Sequence, residues 1–474
     1  MPALATTLNP HDLLIKSCKT LDYKVLQLLL FHLNWCCPNY STMKLIQSTQ
    51  LTPFGGLNFV LTEFETLGIG KLINQQLPLL ANQSKYSWKD IIYSFWSVLL
   101  CGGDCAEDLS VNFKDSFHAN PFINIPSPDR ILGRMKDLSE PKQIFITPRG
   151  SSKHEFSFND QMNQLNLSIV KKLGFLKSTK PITLDYDNTN IFSEKSDAAM
   201  TYLKERGYTP GVGFIVNTVV YVENRNGYSD AQTLQQDTLS RMFKMLNANN
   251  IRIDRFRADS ASCQLSTLSE VSKNVDTFYI RARMNESLSE AISQISNWTS
   301  MEVQDREMLR GSTLFNPFQK IAERNHQEYV LPPCRLVVTK EKRADGQINL
   351  FTGEAFNYAA ILSNDHFMSD DQIVMFYNQR GAIEREFDVL KNDFSWNKMP
   401  FSKIEYNTVF LLITAMCRNL YHFIINCFSA RYKNLSPQFR LKKFIFRFIC
   451  IPAKWIKSGR ITKLRVFGRL ELRT

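Results

Sequence analysis

The sequence predicts an α/β protein: a mixed β-sheet flanked by helices, with a β-rich insertion, a helical N-terminal domain and a helical, basic C-terminal region. Three observations predict it. Strand-like and helix-like stretches alternate between Pro181 and about residue 283. The chain before about residue 140 has mainly helical periodicity. Residues 291–364 return to strand-like pieces before a long amphipathic helix begins near Ser369. Alternation of this kind places helices on the faces of a mixed sheet.

Taken in order, "TPFGGLNFVLTEFETLGIGKLI" opens on a Thr-Pro cap and carries apolar residues at helical spacing. "SWKDIIYSFWSVLLCGG" has Ser87 as N-cap and Gly102 as stop, and "SPDRILGRMKDLS" starts a short helix at Ser127. Residues 139–160 are polar and bear Pro and Gly, so a linker is expected there. "PITLDYDNT" (181–189) reads as a strand, and "GFIVNTVVYVE" (213–223) as a second that continues through a turn. A helix over 231–246, a strand over 251–260, a short helix at "STLSEVSK" and a strand over 276–283 follow. The expected organisation is 1–150 helical N-terminal region, 151–290 first part of the sheet domain, 291–364 β-rich insertion, 365–400 the amphipathic helix that follows it and 401–474 helical basic C-terminal region.

Composition agrees with a globular chain: of 474 residues, 44% are apolar and 22% charged, which excludes general disorder. The best apolar run, Val409 to Met416, is cut short by Arg418, so no membrane span is read. The first residues lack the basic start and apolar core of a signal peptide. Ten cysteines lie scattered without zinc-type spacing, "CGGDC" at 101–105 included; buried thiols in a reducing, cytoplasmic setting are expected. Charge is segregated. Arg431 to Thr474 holds thirteen Lys or Arg against one acid, Glu471, and so accounts for the entire formal surplus of +12. Aromatic rings interleave with these cations, which suits either a polyanion contact or an amphipathic segment docked on the body.

The chemistry-bearing motif is "YNQRGAIEREFDVLK", residues 377–391. On a helix, Tyr377, Arg380, Glu384 and Lys391 fall within an arc of about 60°. Phe376, Ile383, Phe387, Leu390 and Phe394 form an apolar stripe beside that arc, and Arg385, Glu386 and Val389 lie outward. An ordinary surface helix with an Arg380–Glu384 pair would show some of this. The full spacing, however, resembles the Tyr-Arg-Glu-Lys signature of a branch of bacterial DDE insertion-sequence transposases. That resemblance implies a ribonuclease-H-like sheet on which Glu384 is the last of three metal-binding acids, the others being Asp residues on two strands.

Both strands can be found. In "PITLDYDNT", Thr183, Asp185 and Asp187 share one face, and two acids on one strand face are an uncommon way to build a core. The family pattern of Asp just before a Thr or Ser picks Asp187, with Asp185 as the alternative. In "RIDRFRADSAS", Asp259 ends the strand on the face of Ile253, Arg255 and Arg257. It is followed by Ser260 and then by Ala261-Ser262, where relatives carry Gly-Phe. The resemblance further implies Mg²⁺ (Mn²⁺ as a substitute) held by Asp187, Asp259 and Glu384, since oxygen-only ligands select hard cations. It implies a grip on terminal DNA by Tyr377, Arg380 and Lys391, and Trp298 in the insertion as a platform for a flipped base. Double-stranded DNA is the expected partner, a homodimer the expected synaptic form, and no membrane is involved. Arg130, Arg134 and Lys136 are further DNA-contact candidates. A ribonuclease-H-like nuclease, or a catalytically decayed DNA-binding relic, is the alternative.

Overall fold

The structure, a computed structural model, describes residues 51–117, 124–146, 153–176, 181–303, 305–326, 328–348, 353–459, 461–468 and 470–473. The N-terminal stretch with Cys18, Cys36 and Cys37 lies outside the described residues. Residues 50–474 form one compact unit.

Its centre is a sheet of eleven strands: β1 (Gln143–Ile146), β2 (Lys153–Phe158), β3 (Thr183–Asn188), β4 (Gly211–Ile215), β5 (Thr218–Arg225), β6 (Ile253–Ala258), β7 (Val275–Arg281), β8 (Thr299–Val303), β9 (Arg306–Leu314), β10 (Arg335–Lys342) and β11 (Phe356–Ser363). They lie in the order β8-β9-β10-β11-β7-β6-β3-β4-β5-β2-β1. β3, β6 and β7 are parallel neighbours, and β4 and β5 continue outward from β3 as an antiparallel hairpin. This is the ribonuclease-H-like arrangement the sequence predicts. Its turn, Val216-Asn217, has positive φ at both residues (50° and 57°), the backbone twist that two-residue hairpins require. The strands of the insertion, β8 to β11, extend the same sheet, because β11 pairs antiparallel with β7.

Two corrections concern the N-terminal half. Residues 139–160, expected to be a linker, contribute the edge strands β1 and β2, with Phe156 fully buried. β1 pairs antiparallel with β2, and β2 joins the sheet through β5, some seventy residues on, so the pairing that holds them to the sheet is not local. Thr52 does not cap the first helix, α1 (Gly55–Thr66): it belongs to a two-residue strand and its hydroxyl accepts from the Phe54 amide. The paired glycines there have a packing reason. A Cβ on Gly56 would meet the Phe448 carbonyl oxygen at 1.9 Å, so α1 lies directly against the C-terminal segment.

Helices α2 (Ile69–Gln76), α3 (Trp88–Leu100) and α4 (Pro128–Asp137) complete the N-terminal group, and Ser87 and Ser127 cap α3 and α4 as the sequence predicts. They share one core with part of α5 (Asp160–Leu173) and a 28-residue helix, Ile404–Arg431. That long helix is apolar enough by length and composition to cross a membrane, yet its apolar window is 89% buried inside the protein. Asn419 on it bonds both the amide and the carbonyl of Val219 in β5, at 3.0 and 2.8 Å. The opposite sheet face is covered by α6 (Gln235–Ala248), α7 (Leu265–Asn274) and α8 (Glu286–Ser293), which bury Leu184, Tyr186, Phe256 and Ala258.

The basic tail is an amphipathic segment docked on the body. Phe444 and Phe448 are core residues, while Lys442 and Lys443 before them and Arg447 between them stay exposed. The segment is helical to Ile449 and then forms a hairpin, Ala453–Ser458 with Ile461–Val466, an element not anticipated from the sequence.

Candidate active site

Parallel pairing of β3, β6 and β7 sets their side chains in rows. Asp185, Arg257 and Tyr279 are register partners in one row, and Tyr186, Ala258 and Ile280 form the next. Successive residues alternate faces, so Asp187, Asp259 and Arg281, one residue further, stand abreast on the face of the first row.

The first row is chemically closed. Arg257 donates Nε and Nη2 to the two carboxylate oxygens of Asp185, at 2.6 and 2.8 Å, and both side chains are buried. Burial raises the Asp185 pKa and the Arg257 guanidinium opposes the rise. Arg257 also donates to the Phe376 carbonyl, and its guanidinium carbon sits 4.6 Å from the Phe376 ring centre. Tyr279 donates to Asp365.

The second row is open. Asp187 accepts from its neighbour's amide, Asn188, at 2.8 Å and from Arg380 Nη1 at 2.9 Å. Its pKa is pushed up to about 6, first by burial and next by the negative charge of Asp259, with Arg380 opposing. Asp259 accepts from the Ala261 amide at 3.0 Å and thereby starts a 3-10 turn, Ser260–Ser262. Burial raises its pKa too. The Ala261-Ser262 departure therefore leaves the turn after Asp259 intact. The Arg281 side chain makes no hydrogen bond or ion pair among the described residues, and burial lowers its pKa, with nearby Tyr377 opposing the fall and Arg380 adding to it.

The signature helix crosses this same face. Ser369 and Gln372 form a capping box at the start of α9 (Asp370–Asn378). A 3-10 turn, Gln379–Gly381, joins α9 to α10 (Ala382–Asp393), so the helix expected to be continuous tightens where Arg380 projects. Ile373, Val374 and Tyr377 pack against Tyr279, Val337 and Ile361. Tyr377 is buried and donates to the Ala258 carbonyl at 3.3 Å. On α10, Ile383, Phe387 and Leu390 are buried, and Phe387 meets Phe214 edge-on at 5.4 Å. Phe214 is the register partner of Asp185, so α10 docks on the face that carries the acids.

Of the signature residues, the structure brings Tyr377 and Arg380 to the acidic row. Glu384 lies one turn beyond Arg380 and is exposed. Among the described residues, the oxygens of Asp187, Asp259 and Glu384 do not all come within 4.8 Å of one another. Lys391 is half-buried two turns on, with a pKa lowered by burial against the opposing charge of Asp388, and its side chain makes no hydrogen bond among the described residues. Glu386 is not outward as the helical wheel suggested: it pairs with the buried Arg418 of the long helix, now α11 (Ile404–Arg431), which in turn contacts His422 at 3.3 Å. The residues missed from the sequence are Arg257, Arg281 and the Glu386–Arg418 pair. Strand alternation had already put Arg257 on the acidic face; the partners of the others come from distant elements.

Elsewhere, Trp298 is half-buried at the rim of a cavity of about 630 Å³, away from the acidic row, with Lys340 Nζ 4.2 Å from its ring centre. Its indole N–H donates to the Ile295 carbonyl at 3.0 Å. In the N-terminal group, Arg134 pairs with Asp137, Lys136 is exposed and lies over Phe401 and Tyr406, and Arg130 is exposed. Asp104, Cys105 and Asp108 cluster within 4.8 Å, but Asp108 there accepts the amides of Asp104 and Cys105 and closes a loop.

Comparison with known proteins adds three findings. No curated protein matches the chain. Among solved structures, the piggyBac transposase synaptic complex with hairpin DNA aligns at 13% identity and a TM-score of 0.41, over 85% of this chain and 82% of that one. The family model for the transposase DDE domain, group 1, matches residues 49–469, which take in all but a few of the residues described above. The chain belongs to the transposase DDE domain family, group 1.

Proposed function

We propose that this chain cuts DNA at the ends of an insertion sequence of the Tyr-Arg-Glu-Lys branch and joins the freed 3′-hydroxyls to target DNA. The family implies a DNA-cleaving and DNA-joining enzyme; the element type, the metal and the residue roles are our reading. The observation that carries it is the open row, in which Asp187 and Asp259 end adjacent parallel strands beneath the helix of Glu384.

Two half-buried carboxylates whose pKa values burial raises, with the charge of Asp259 adding to the rise at Asp187, form a site short of positive charge. The donors are all oxygen, which suits Mg²⁺ or Mn²⁺ held by Asp187, Asp259 and Glu384. Such ions, when bound, supply Lewis-acid stabilisation of the entering and leaving oxygens of an in-line displacement. The chain's own groups do the rest. Arg380 meets Asp187 in the absence of a cation and would be released to a DNA phosphate when Asp187 is claimed. Tyr377, anchored on the Ala258 carbonyl, holds the 3-10 turn that aims Arg380. Lys391, half-buried without a hydrogen-bond partner among the described residues, is placed for a second phosphate of the same strand. Trp298, with one face under Lys340, offers a stacking surface for an extruded base. Water and then the new 3′-hydroxyl act as nucleophiles, so no covalent protein intermediate is needed. Cutting two ends calls for two copies of the chain, hence a homodimer on DNA.

The test uses the purified chain, Mg²⁺ and duplexes spanning the DNA that borders its own coding sequence. Wild type should release a 3′-hydroxyl at the element end, and Glu384→Ala should bind the same duplex without cutting it. Cleavage retained in Glu384→Ala removes the assigned role. Cleavage of arbitrary duplexes without preference for ends would favour a nuclease instead.

A further inference from the structure

Among the described residues, every other buried or half-buried arginine on the acidic face of the parallel strands, their neighbours β9 and β10 and the helix above them has a partner; Arg306 on β9 is exposed. Arg257 holds Asp185 with two bonds, Arg255 stacks over Phe376 at 5.1 Å, Arg310 and Arg335 pair with Asp370 and Asp371 or the Met368 carbonyl, and Arg380 pairs with Asp187. Arg281 does not. It ends β7, abreast of Asp259, yet Asp259 turns away to cap its own 3-10 turn. Arg281 instead reaches the neighbourhood of Tyr377 and Arg380, where Tyr377 supports its charge and the second guanidinium opposes it. Holding two half-buried like charges side by side is costly unless an anion joins them. Planar guanidiniums match phosphate oxygens two by two, and paired arginines are suited to gripping one phosphodiester.

We propose that Arg281 is a DNA-phosphate ligand, which together with Arg380 clamps one phosphodiester beside the Asp187–Asp259 pair. The inference rests on the reading of that row as a DNA-cutting centre, and it assigns to β7 a contact outside the signature helix. A residue at the end of this strand would fix the strand's path directly over the acids, while Arg380 and Lys391 fix it along the helix.

The experiment measures binding of a fluorescent duplex of arbitrary sequence, in EDTA, over a series of salt concentrations. Loss of one phosphate contact lowers the slope of log affinity against log salt by about 0.9. Arg281→Gln should show that loss with weaker binding, and Arg281→Lys should keep most of the slope. Arg252→Gln, an exposed charge at the opposite end of the same strands, should leave it unchanged. A wild-type slope in Arg281→Gln overturns the proposal. Should that variant fold poorly, phenylglyoxal labelling of the wild type, read by mass spectrometry, decides the question. Protection of Arg281 by the duplex is expected, and equal labelling with and without duplex overturns the clamp. If wild type also fails to cut element-end DNA with Mg²⁺, the transposase reading falls. Intact cutting with an unchanged slope removes Arg281 alone.

Discussion

Replacing Asp187 by Asn should stabilise the metal-free protein, and the size of the effect follows from the site. Burial and the charge of Asp259 raise the Asp187 pKa from 3.8 to about 6. Each unit corresponds to about 1.4 kcal/mol, so holding this carboxylate charged in the fold costs about 3 kcal/mol. Its side chain is only 17% exposed, so solvent relieves little of that. The sign follows from linkage. Below the unfolded pKa both states carry the proton and the cost is absent. It grows between 3.8 and about 6 and is complete above that. Asparagine imitates the neutral form at every pH. Denaturation in EDTA should therefore show wild type and Asp187→Asn equally stable near pH 4, with the variant ahead by about 3 kcal/mol near pH 8. Mg²⁺ should narrow the gap by stabilising wild type, since an ion that binds only the folded state adds to its stability. A gap that is independent of pH, or wild type ahead at pH 8, would refute the reasoning.

Three further outcomes are expected. Arg257→Met strands the buried Asp185 carboxylate and should cost about 3–5 kcal/mol, while Asp185→Asn in the same chain should recover most of it. A loss in the double variant equal to the sum of the singles, read by denaturation, would contradict a coupled pair. Removing Arg418 should raise the His422 pKa above about 4, because burial lowers it first and the Arg418 charge second; an unmoved His422 titration by NMR would contradict that contact. Trp298→Ala should weaken binding of element-end DNA by about 1–3 kcal/mol and Trp298→Phe much less, since stacking tolerates any ring; equal affinities for all three proteins would exclude the stacking role.

The legible part of the protein was what local pattern encodes. Alternation in "PITLDYDNT" and "RIDRFRADS" located the two strands and the face of each acid, and Ser369 marked the start of the signature helix. The strands at 143–146 and 153–158 stayed hidden because the second of them joins the sheet through β5, far along the chain, and the first pairs only with the second. The same limit hid the site's supports. Nothing near Glu386 indicates that Arg418, thirty-two residues on, will bury itself against it. The helical wheel treated residues 377–391 as one rod, and the 3-10 turn at Gln379–Gly381 altered that phase. The surroundings of Asp185 and Asp187 also come from tertiary contacts: Arg257 donates to both oxygens of Asp185, while Asp187 accepts from the Asn188 amide and from Arg380.

The central claim is that Asp187, Asp259 and Glu384 hold divalent ions at the end of the parallel strands. Crystals of the chain with element-end DNA, soaked in Mn²⁺ and measured for anomalous scattering, test it directly. The account expects a peak within about 2–2.5 Å of oxygens from all three residues, with Arg380 withdrawn from Asp187. A peak at Asp104 and Asp108 alone, with Arg380 still on Asp187, would contradict it.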